Sequence, residues 1–283
     1  MNSSHPLLHQ NYAKANHQSS TLLGVPKMEM FESPASWVCR AALSQGATRE
    51  EFAEFLGLRK QDDPDLAFTQ DNIGEISRRC GVPKVHFEFA SHMFGGLASI
   101  DPDGRRFLSD YQRAARCRYC PVCLHESKVK HFMVHWRFSA WLYCPDHDCR
   151  MADTCKHCAA YITMPTDMLW GGPQGDGIAT LDYCMACGYR LSAHWRDVRG
   201  EMGRLDLNFA EKTAYAYGRA TLAAIYHRRV RYVNNGTHHT VGLKFLINFD
   251  ELGLIPNKDS EFPSSSSVNG ECVDGVERRF GFT

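Results

Sequence analysis

The 283-residue sequence predicts a mainly α-helical fold with small α+β elements in its centre. Apolar residues recur at helical spacing in the N-terminal third and again over 205–232. Between these regions, Cys and His come in pairs with two residues between the partners, a pattern typical of small folds built around a metal ion. We therefore expect an N-terminal helical domain, a central metal-stabilised domain and C-terminal helices.

The composition predicts five consecutive parts. Residues 1–20 are polar and lack periodicity, which predicts a mobile leader. Residues 165–180 are rich in Gly and Pro and predict a loop, and 258–283, with Ser264 to Ser267 in a row, predict a disordered tail. The parts in between are a helix-turn-helix-type helical domain over 22–115, a domain with two metal sites over 116–195 and a C-terminal helical region over 196–257.

Charge and hydropathy exclude some classes of partner. Lys plus Arg equals Asp plus Glu at 32 each, so no bulk field draws the chain to nucleic acid or membrane, and any polyanion contact must be a local patch. The first thirty residues contain no apolar run typical of a secretion signal or a membrane span. We therefore predict a cytoplasmic protein with no membrane partner, in a compartment where cysteines stay reduced.

Capping signals define the first two helices. Ser33 is the expected cap of a helix that starts at Pro34 and stops near Gly46. Thr48 and Glu51 form a predicted capping box that opens a second helix. The N-terminal region therefore begins as one helix followed by another.

A helix-turn-helix outline follows. Ile73, Ile76 and Cys80 form an apolar stripe that ends at Gly81, and Pro83 can then open another helix. A plain helical hairpin gives the same pattern, so both interpretations stay open. In the DNA-binding interpretation, Lys84, His86 and Glu88 begin the recognition helix.

Eight basic residues are candidate nucleic-acid contacts. Some flank the predicted turn, some lead into the first Cys pair, and some lie in Tyr-His-Arg-Arg-Val-Arg-Tyr at 226–232, where basic residues stand between two tyrosines. A salt-bridged surface, or a helix end whose cations complement the helix dipole, is the alternative. The candidates are Arg78, Arg79, Lys84, Arg105, Arg106, Arg228, Arg229 and Arg231.

Four Cys/His pairs carry the strongest signal. A tight turn can present such a pair to one tetrahedral Zn(II), so two pairs complete one ion and the chain is expected to bind two zinc ions. Consecutive pairing gives one site of three cysteines and a histidine and one site of four cysteines, and it closes the shorter loops, while interleaved pairing stays open. The pairs are Cys120/Cys123, Cys144/His147, Cys155/Cys158 and Cys184/Cys187.

Neighbouring cysteines compete for these roles. Cys117 precedes Cys120 by three positions, but Pro121 stiffens the Cys120–Cys123 turn, which favours that pair and leaves Cys117 as a free thiol. Cys149 and His157 are spare candidates. Both sites close with four protein ligands, as structural rather than catalytic zinc does.

One set of residues resembles a catalytic zinc motif. His86 and Glu88, followed by Cys117 and Cys120, imitate the His-x-Glu…Pro-Cys-x-x-Cys pattern of zinc deaminases, but Arg116 stands where that pattern has Pro. No phosphate-binding Gly-rich loop or nucleophile elbow is present in the sequence. We therefore expect a protein that is not an enzyme.

Aromatic residues concentrate between the first two pairs. Metal knuckles bury little apolar area, so these side chains are expected to pack over the metal, although part of the set could form a docking surface. They are Phe132, Trp136, Phe138, Trp141 and Tyr143.

Together these features resemble the TniQ/TnsD family of transposition target-selection proteins. The similarity covers about residues 22–195, and the ordered Cys/His pairs are its specific part. The matching pieces are Glu32-Ser33, Ser36-Trp37, Arg40-Ala41, Tyr-Cys-Pro-x-Cys-Leu at 119–124, Trp136 ahead of Cys-Pro-x-His at 144–147, Cys-Lys-His-Cys at 155–158 and Cys-Met-Ala-Cys at 184–187.

The resemblance implies a helix-turn-helix-type domain joined to a double zinc finger, in an adaptor without catalysis. Such proteins recognise a DNA attachment site, directly or through a guide-RNA effector complex, and recruit an AAA+ ATPase that directs the transposase. The region after Trp195 is short for the family, which favours the adaptor role over DNA reading by this chain alone. The alternative is a zinc-containing helix-turn-helix transcription regulator that binds its operator as a homodimer.

Overall fold

A computed structural model describes residues 22–59, 63–111, 114–163, 180–197 and 208–251. The predicted leader at 1–20, residues 165–179 of the predicted loop and the predicted tail at 258–283 lie outside these ranges. The described part is mostly helical, with a few short antiparallel strand pairs, which confirms the predicted fold class.

The elements follow one another along the chain with short connections. The helices are α1 (Pro34–Ser44), α2 (Arg49–Phe55), α3 (Pro64–Ala67), α4 (Ile73–Cys80), α5 (Val85–Ala98), α6 (Pro121–Glu126), α7 (Phe209–His227) and α8 (Phe245–Glu251), with short 3-10 helices at Val134–Arg137 and Leu191–His194. The strands form three hairpins: β1 (Asp110–Tyr111) with β2 (Ala114–Ala115), β3 (Tyr143–Cys144) with β4 (Cys149–Arg150), and β5 (Arg229–Asn234) with β6 (Thr237–Gly242).

The first two helices begin at the predicted caps. The Ser33 hydroxyl accepts a hydrogen bond from the Ser36 backbone N–H at 3.2 Å. At α2, the Thr48 side chain accepts from the Glu51 N–H, and the Glu51 carboxylate accepts from the Thr48 N–H at 2.9 Å. Both caps satisfy N–H groups that the helix itself leaves without acceptors, so both predictions are confirmed.

A left-handed residue ends α4 and turns the chain into α5. Gly81 has φ of 72°, a conformation that suits glycine, and its N–H bonds the Ser77 carbonyl at 2.9 Å. Ile73, Ile76 and Cys80 are buried on one face of α4, as their spacing predicts. The helix-turn-helix outline is therefore present in the structure.

Helix α5 lies in the centre of the fold. The ring of Phe87 meets Trp37 of α1 edge to face at 4.9 Å, and the ring of Phe94 stacks on Phe138 at 6.1 Å. Every residue from 85 to 98 is buried or half-buried. A helix that inserts into a DNA groove needs an exposed face, and the side chains of α5 are at most partly exposed.

The interpretation of His86 and Glu88 as residues of a DNA recognition helix stays a prediction, which their partial burial disfavours. Both side chains lie on α5 and are half-buried, and Lys84, at the N-cap, is the exposed one of the three. Their polarity suggested exposure, but helices pack on α5 from both sides.

Helix α7 closes the fold over this central helix. Its N-terminus carries a capping box, in which Asn208 and Glu211 exchange side-chain to backbone hydrogen bonds at 3.0 Å. Gly218 lies so near the Ala140 carbonyl that a Cβ would collide with it. No helix among the described residues is both long and apolar enough to span a bilayer.

The predicted helix at 205–232 is partly wrong. Helix α7 ends at His227, Arg228 adopts φ of 58°, and the next residues form the β5–β6 hairpin. Asn235 and Gly236, with φ of 49° and 75°, make its two-residue turn. Positive φ at both positions is the type I′ geometry that Asn-Gly favours, and it matches the twist of the strands.

A buried ion network joins the helical N-terminal region to the Cys-rich region. The Arg137 guanidinium donates from Nε to Asp65 at 2.6 Å, from Nη2 to Asp63 at 2.5 Å and from Nη1 to the Arg116 carbonyl. Asp65 also accepts from the Ala35 N–H at 2.9 Å. The two regions therefore share one core.

The aromatic residues between the first two Cys/His pairs belong to this core. All of them are buried, which confirms the packing role over the docking-surface alternative. Phe132 meets Trp136 edge to face at 5.8 Å. The buried set is Phe132, Trp136, Phe138, Trp141 and Tyr143.

Candidate metal centres

The first pair of cysteines is positioned by the start of α6. Cys120 is the N-cap residue, with Pro121 at the first helical position, and its sulfur accepts the Cys123 N–H at 3.5 Å. A sulfur that accepts backbone N–H bonds is stabilised as thiolate, the form that binds metal. The helix start thus turns both Cys120 and Cys123 toward one point.

The β3–β4 hairpin brings the second pair to the same point. Cys144 ends β3, and His147 lies in the turn before β4. The His147 Nδ1 is 3.1 Å from the Cys123 sulfur and 3.5 Å from the sulfurs of Cys120 and Cys144. The four donor atoms all lie within 4.8 Å of one another.

These separations suit a tetrahedral metal ion. Zn–S bonds of about 2.3 Å in tetrahedral geometry separate the ligand atoms by roughly 3.7 Å. Contacts with Cys123 and Cys144 lower the pKa of the Cys120 thiol well below its usual value. The Glu126 carboxylate is 3.1 Å from Nε2 of His147, an arrangement that orients a metal-binding imidazole. The first cluster can therefore hold a metal ion through three sulfurs and one nitrogen.

The second cluster consists of two turns with the same backbone geometry. After Cys155 and Cys158, Ala159 adopts φ of 58° and donates its N–H to the Cys155 carbonyl at 2.9 Å. After Cys184, Gly188 adopts φ of 68° and donates to the Cys184 carbonyl at 2.7 Å. Each turn thus curls around its own pair of sulfurs.

The two turns face each other across the cluster. Cys155 and Cys187 sulfurs are 3.8 Å apart, and so are those of Cys158 and Cys184. The Ala160 N–H bonds the Cys158 sulfur and lowers the pKa of this thiol. These four sulfurs also lie within 4.8 Å of one another, so this second cluster can hold a metal ion through four sulfurs.

Burial distinguishes the two clusters. In the first, all three cysteines are buried and His147 is half-buried. In the second, Cys155 and Cys184 are buried, Cys187 is half-buried and Cys158 is exposed. The second cluster is therefore the one that solvent reaches.

The structure groups the pairs consecutively, not in the interleaved order. Cys117, the competitor of the first pair, lies outside both clusters, and burial raises the pKa of its thiol to about 12. A thiol with such a pKa stays protonated and is a poor metal ligand. His157, a spare candidate, also lies outside both clusters, and its ring stacks on Tyr189 at 5.0 Å.

Cys149, the other spare candidate, lies beside the first cluster. It pairs with Cys144 across the β3–β4 hairpin, and its sulfur is 3.5 Å from the Cys120 sulfur. It still lies outside the group of four donors. Its position two residues after His147 is the signal in the sequence that could have indicated this proximity.

The donor sets indicate which metal fits. Tetrahedral sulfur and imidazole ligands suit zinc, whereas oxygen ligands suit Mg²⁺ and Ca²⁺. With four protein ligands each, neither cluster reserves a position for a substrate. The deaminase layout is not formed, because His86 lies on α5 and neither cluster includes it.

Around the α4–α5 turn, the candidate nucleic-acid residues differ in their surroundings. Arg78 and Arg79 both bond the Glu75 carboxylate, at 2.5 and 2.6 Å, and these bonds lower the pKa of Glu75 to about 2. Within the ranges that the structure describes, the exposed Lys84 makes no ion pair.

The two arginines before the first cluster also face carboxylates. Arg105 lies 3.7 Å from Asp103, with both side chains largely exposed. Arg106 reaches Glu251 at 2.9 Å and so ties the segment before β1 to α8. The structure therefore compensates both charges locally.

The three arginines after α7 divide into two kinds. Arg228 is half-buried, and its Nη2 donates to the His92 carbonyl at 2.6 Å. Arg229 and Arg231 are exposed on β5. The alternative of a helix end does not hold for Arg229 and Arg231, because the helix stops at His227 and both residues lie on β5.

Two comparisons place the chain among known proteins. No curated protein matches it in sequence. The model of the TniQ family matches residues 24–151, a range that contains α1 to α6 and the first cluster, while the second cluster lies beyond it. The chain therefore contains a TniQ domain over residues 24–151.

Proposed function

We propose that this chain is a non-catalytic, zinc-binding adaptor in cytoplasmic DNA transposition. It selects or marks the target site and recruits the transposition ATPase and the transposase. The observation that carries the proposal is the TniQ match over 24–151 in a chain whose Cys/His pairs form two four-donor clusters.

The zinc ions have a structural role in this proposal. Cys120, Cys123, Cys144 and His147 hold one ion, and a second ion is held by Cys155, Cys158, Cys184 and Cys187. Each ion would cross-link turns that have little regular structure of their own, and its binding energy would contribute to folding. The result is a rigid surface for other macromolecules.

The partners are an AAA+ ATPase, the transposase and the target DNA. The chain would meet DNA directly or through a guide-RNA effector complex, and a homodimer is compatible with either route. A transcription regulator that reads its operator with α5 is disfavoured, because every residue of that helix is buried or half-buried.

Reconstituted transposition with purified protein, the cognate ATPase and the transposase tests the proposal. We expect the wild-type chain to retain the ATPase in a pull-down and to direct insertions to a defined site. Cys155→Ser, which removes a ligand, should lose both activities, while Cys117→Ser, which changes a buried thiol outside the clusters, should keep them. An insertion pattern that is the same with and without the chain would contradict the adaptor role.

A further inference from the structure

The β5–β6 hairpin has an inner face that fixes it to the fold. Val230 is fully buried, and the ring of Tyr232 stacks on its cross-strand partner His239 at 5.0 Å. Tyr232 also meets Phe249 of α8 edge to face at 5.2 Å. The inner face is therefore occupied by the protein itself.

The outer face of the hairpin is open to solvent. Arg229, Arg231 and Val233 alternate with the inner residues along β5 and are exposed. Opposite Arg231 stands Thr240, and opposite Arg229 stands Gly242. A Cβ built at Gly242 would meet nothing within 4 Å, so a ligand can approach the strand closely at this position.

The charge of this segment is of one sign. From 227 to 249 the sequence contains no Asp or Glu, although the whole chain is neutral. Among the described residues, neither Arg229 nor Arg231 makes an ion pair, in contrast to Arg78 and Arg106. The outer face thus offers arginine side chains that form no ion pair with any carboxylate in the described part of the chain.

The base of the hairpin is held in place by Arg228. Its guanidinium lies against Gly95 and Gly96 of α5 and donates to the His92 carbonyl at 2.6 Å. A side chain longer than glycine at 96 would collide with that guanidinium. A hairpin with a fixed base loses little conformational entropy when it binds a partner.

We propose that the outer face of the β5–β6 hairpin binds the phosphate backbone of duplex DNA, with Arg229 and Arg231 as the contacting residues. The inference rests on the proposed function, because it names the surface through which the adaptor meets its target. A two-stranded ribbon fits the wide major groove of B-form DNA. The deep, narrow major groove of an RNA duplex excludes it.

Fluorescence anisotropy with a labelled DNA duplex, between about 50 and 200 mM salt, tests this surface. We expect Arg229→Ala/Arg231→Ala to bind about tenfold more weakly at low salt, and the slope of log K against log salt to fall by about 0.9 for each arginine removed. Arg229→Lys/Arg231→Lys should recover most of the affinity, because a lysine supplies the same charge to a phosphate.

A charge-matched control separates the hairpin from net charge. Lys128→Ala/Lys212→Ala removes two positive charges from exposed positions outside the hairpin and should leave affinity and slope unchanged. Arg229→Ala/Arg231→Ala should still bind two zinc ions and still retain the ATPase. Its weaker DNA binding would then not be caused by loss of the fold or of the adaptor function.

Three results would overturn the inference. The first is wild-type affinity and slope in Arg229→Ala/Arg231→Ala. The second is equal loss in the lysine control, and the third is an RNA duplex bound as tightly as DNA. Failure of the proposed function would show differently, as a wild-type chain that binds DNA through the hairpin but neither retains the ATPase nor directs insertion.

Discussion

Arg137 donates a hydrogen bond from Nε to Asp65 over 2.6 Å, and both side chains are almost completely buried. Burial raises the pKa of Asp65, and the Arg137 charge opposes that rise. Asp65 lies in α3, and Arg137 ends the 3-10 helix between the first two Cys/His pairs. The pair therefore connects the helical part of the TniQ domain to the part that carries the first cluster.

Removal of one member of this pair should destabilise the whole fold. Arg137→Met leaves the Asp65 carboxylate buried without its cation, which typically costs about 3–5 kcal/mol. Denaturant unfolding of the zinc-loaded protein measures the change.

The double variant Arg137→Met/Asp65→Asn provides the control. We expect it to lose less stability than the sum of the single variants, because no unpaired charge remains after both changes. Additive losses would show that the two side chains do not depend on each other.

Ligand substitutions should remove the metal ions one at a time. Elemental analysis and native mass spectrometry should find about two zinc ions in the wild-type chain. Cys123→Ser and Cys155→Ser should each retain about one, because the two clusters share no ligand. Cys117→Ser should retain both, and loss of both ions in either ligand variant would contradict separate sites.

A glycine substitution tests the close contact between α7 and the chain at Ala140. Gly218→Ala should destabilise the protein by about 1–3 kcal/mol, because its Cβ would overlap the Ala140 carbonyl and the backbone has to move. Gly74→Ala on the exposed side of α4 meets nothing within 4 Å and should instead stabilise by about 0.5–1 kcal/mol. Thermal unfolding of both variants measures these changes in stability. Equal changes in the two variants would contradict the close contact at Gly218.

Acid should weaken the core through His135. Burial lowers the pKa of this imidazole to about 3 in the folded protein, below its ordinary value of 6.5. Between these values the unfolded chain binds the extra proton, so the contribution is fully present above pH 6.5 and is lost as the pH falls. We expect a loss of about 1.4 kcal/mol per pH unit from this residue.

His135→Gln isolates that contribution. Carboxylates and metal ligands titrate in both proteins, so their effects cancel in the difference between the two stability profiles. The variant should show a flatter dependence of unfolding free energy on pH between about pH 6 and 4. Parallel profiles would mean that the pKa of His135 is the same in the folded and the unfolded protein.

Short-range signals in the sequence predicted local structure well. Ser33 and Thr48 start helices because a side-chain oxygen satisfies a backbone N–H a few residues away, which depends only on neighbours. The spacing of Cys120 and Cys123 works in the same way, since one turn determines where both sulfurs point. The dipeptide Asn235-Gly236 is an equally local signal for a hairpin turn. The helical pattern before it, however, led to a predicted helix that extends beyond His227.

Contacts between residues far apart in the sequence could not be predicted from such local signals. Polar residues such as His86 and Glu88 on α5 suggest a helix with an exposed face, and only the packing of other helices around it shows that both side chains are half-buried. The same applies to Asp65 and Arg137, which lie 72 positions apart. Nothing local to either residue predicts that they meet.

The exposure of Cys158 has a practical consequence for work with the purified protein. Dissolved oxygen and trace oxidants reach this sulfur, while the sulfurs of the first cluster are shielded. The Cys184 sulfur is 3.8 Å away, close enough for oxidation to couple the two. In preparations kept in air without a thiol reductant, we therefore expect the second cluster to oxidise before the first and to lose its capacity to hold a metal ion.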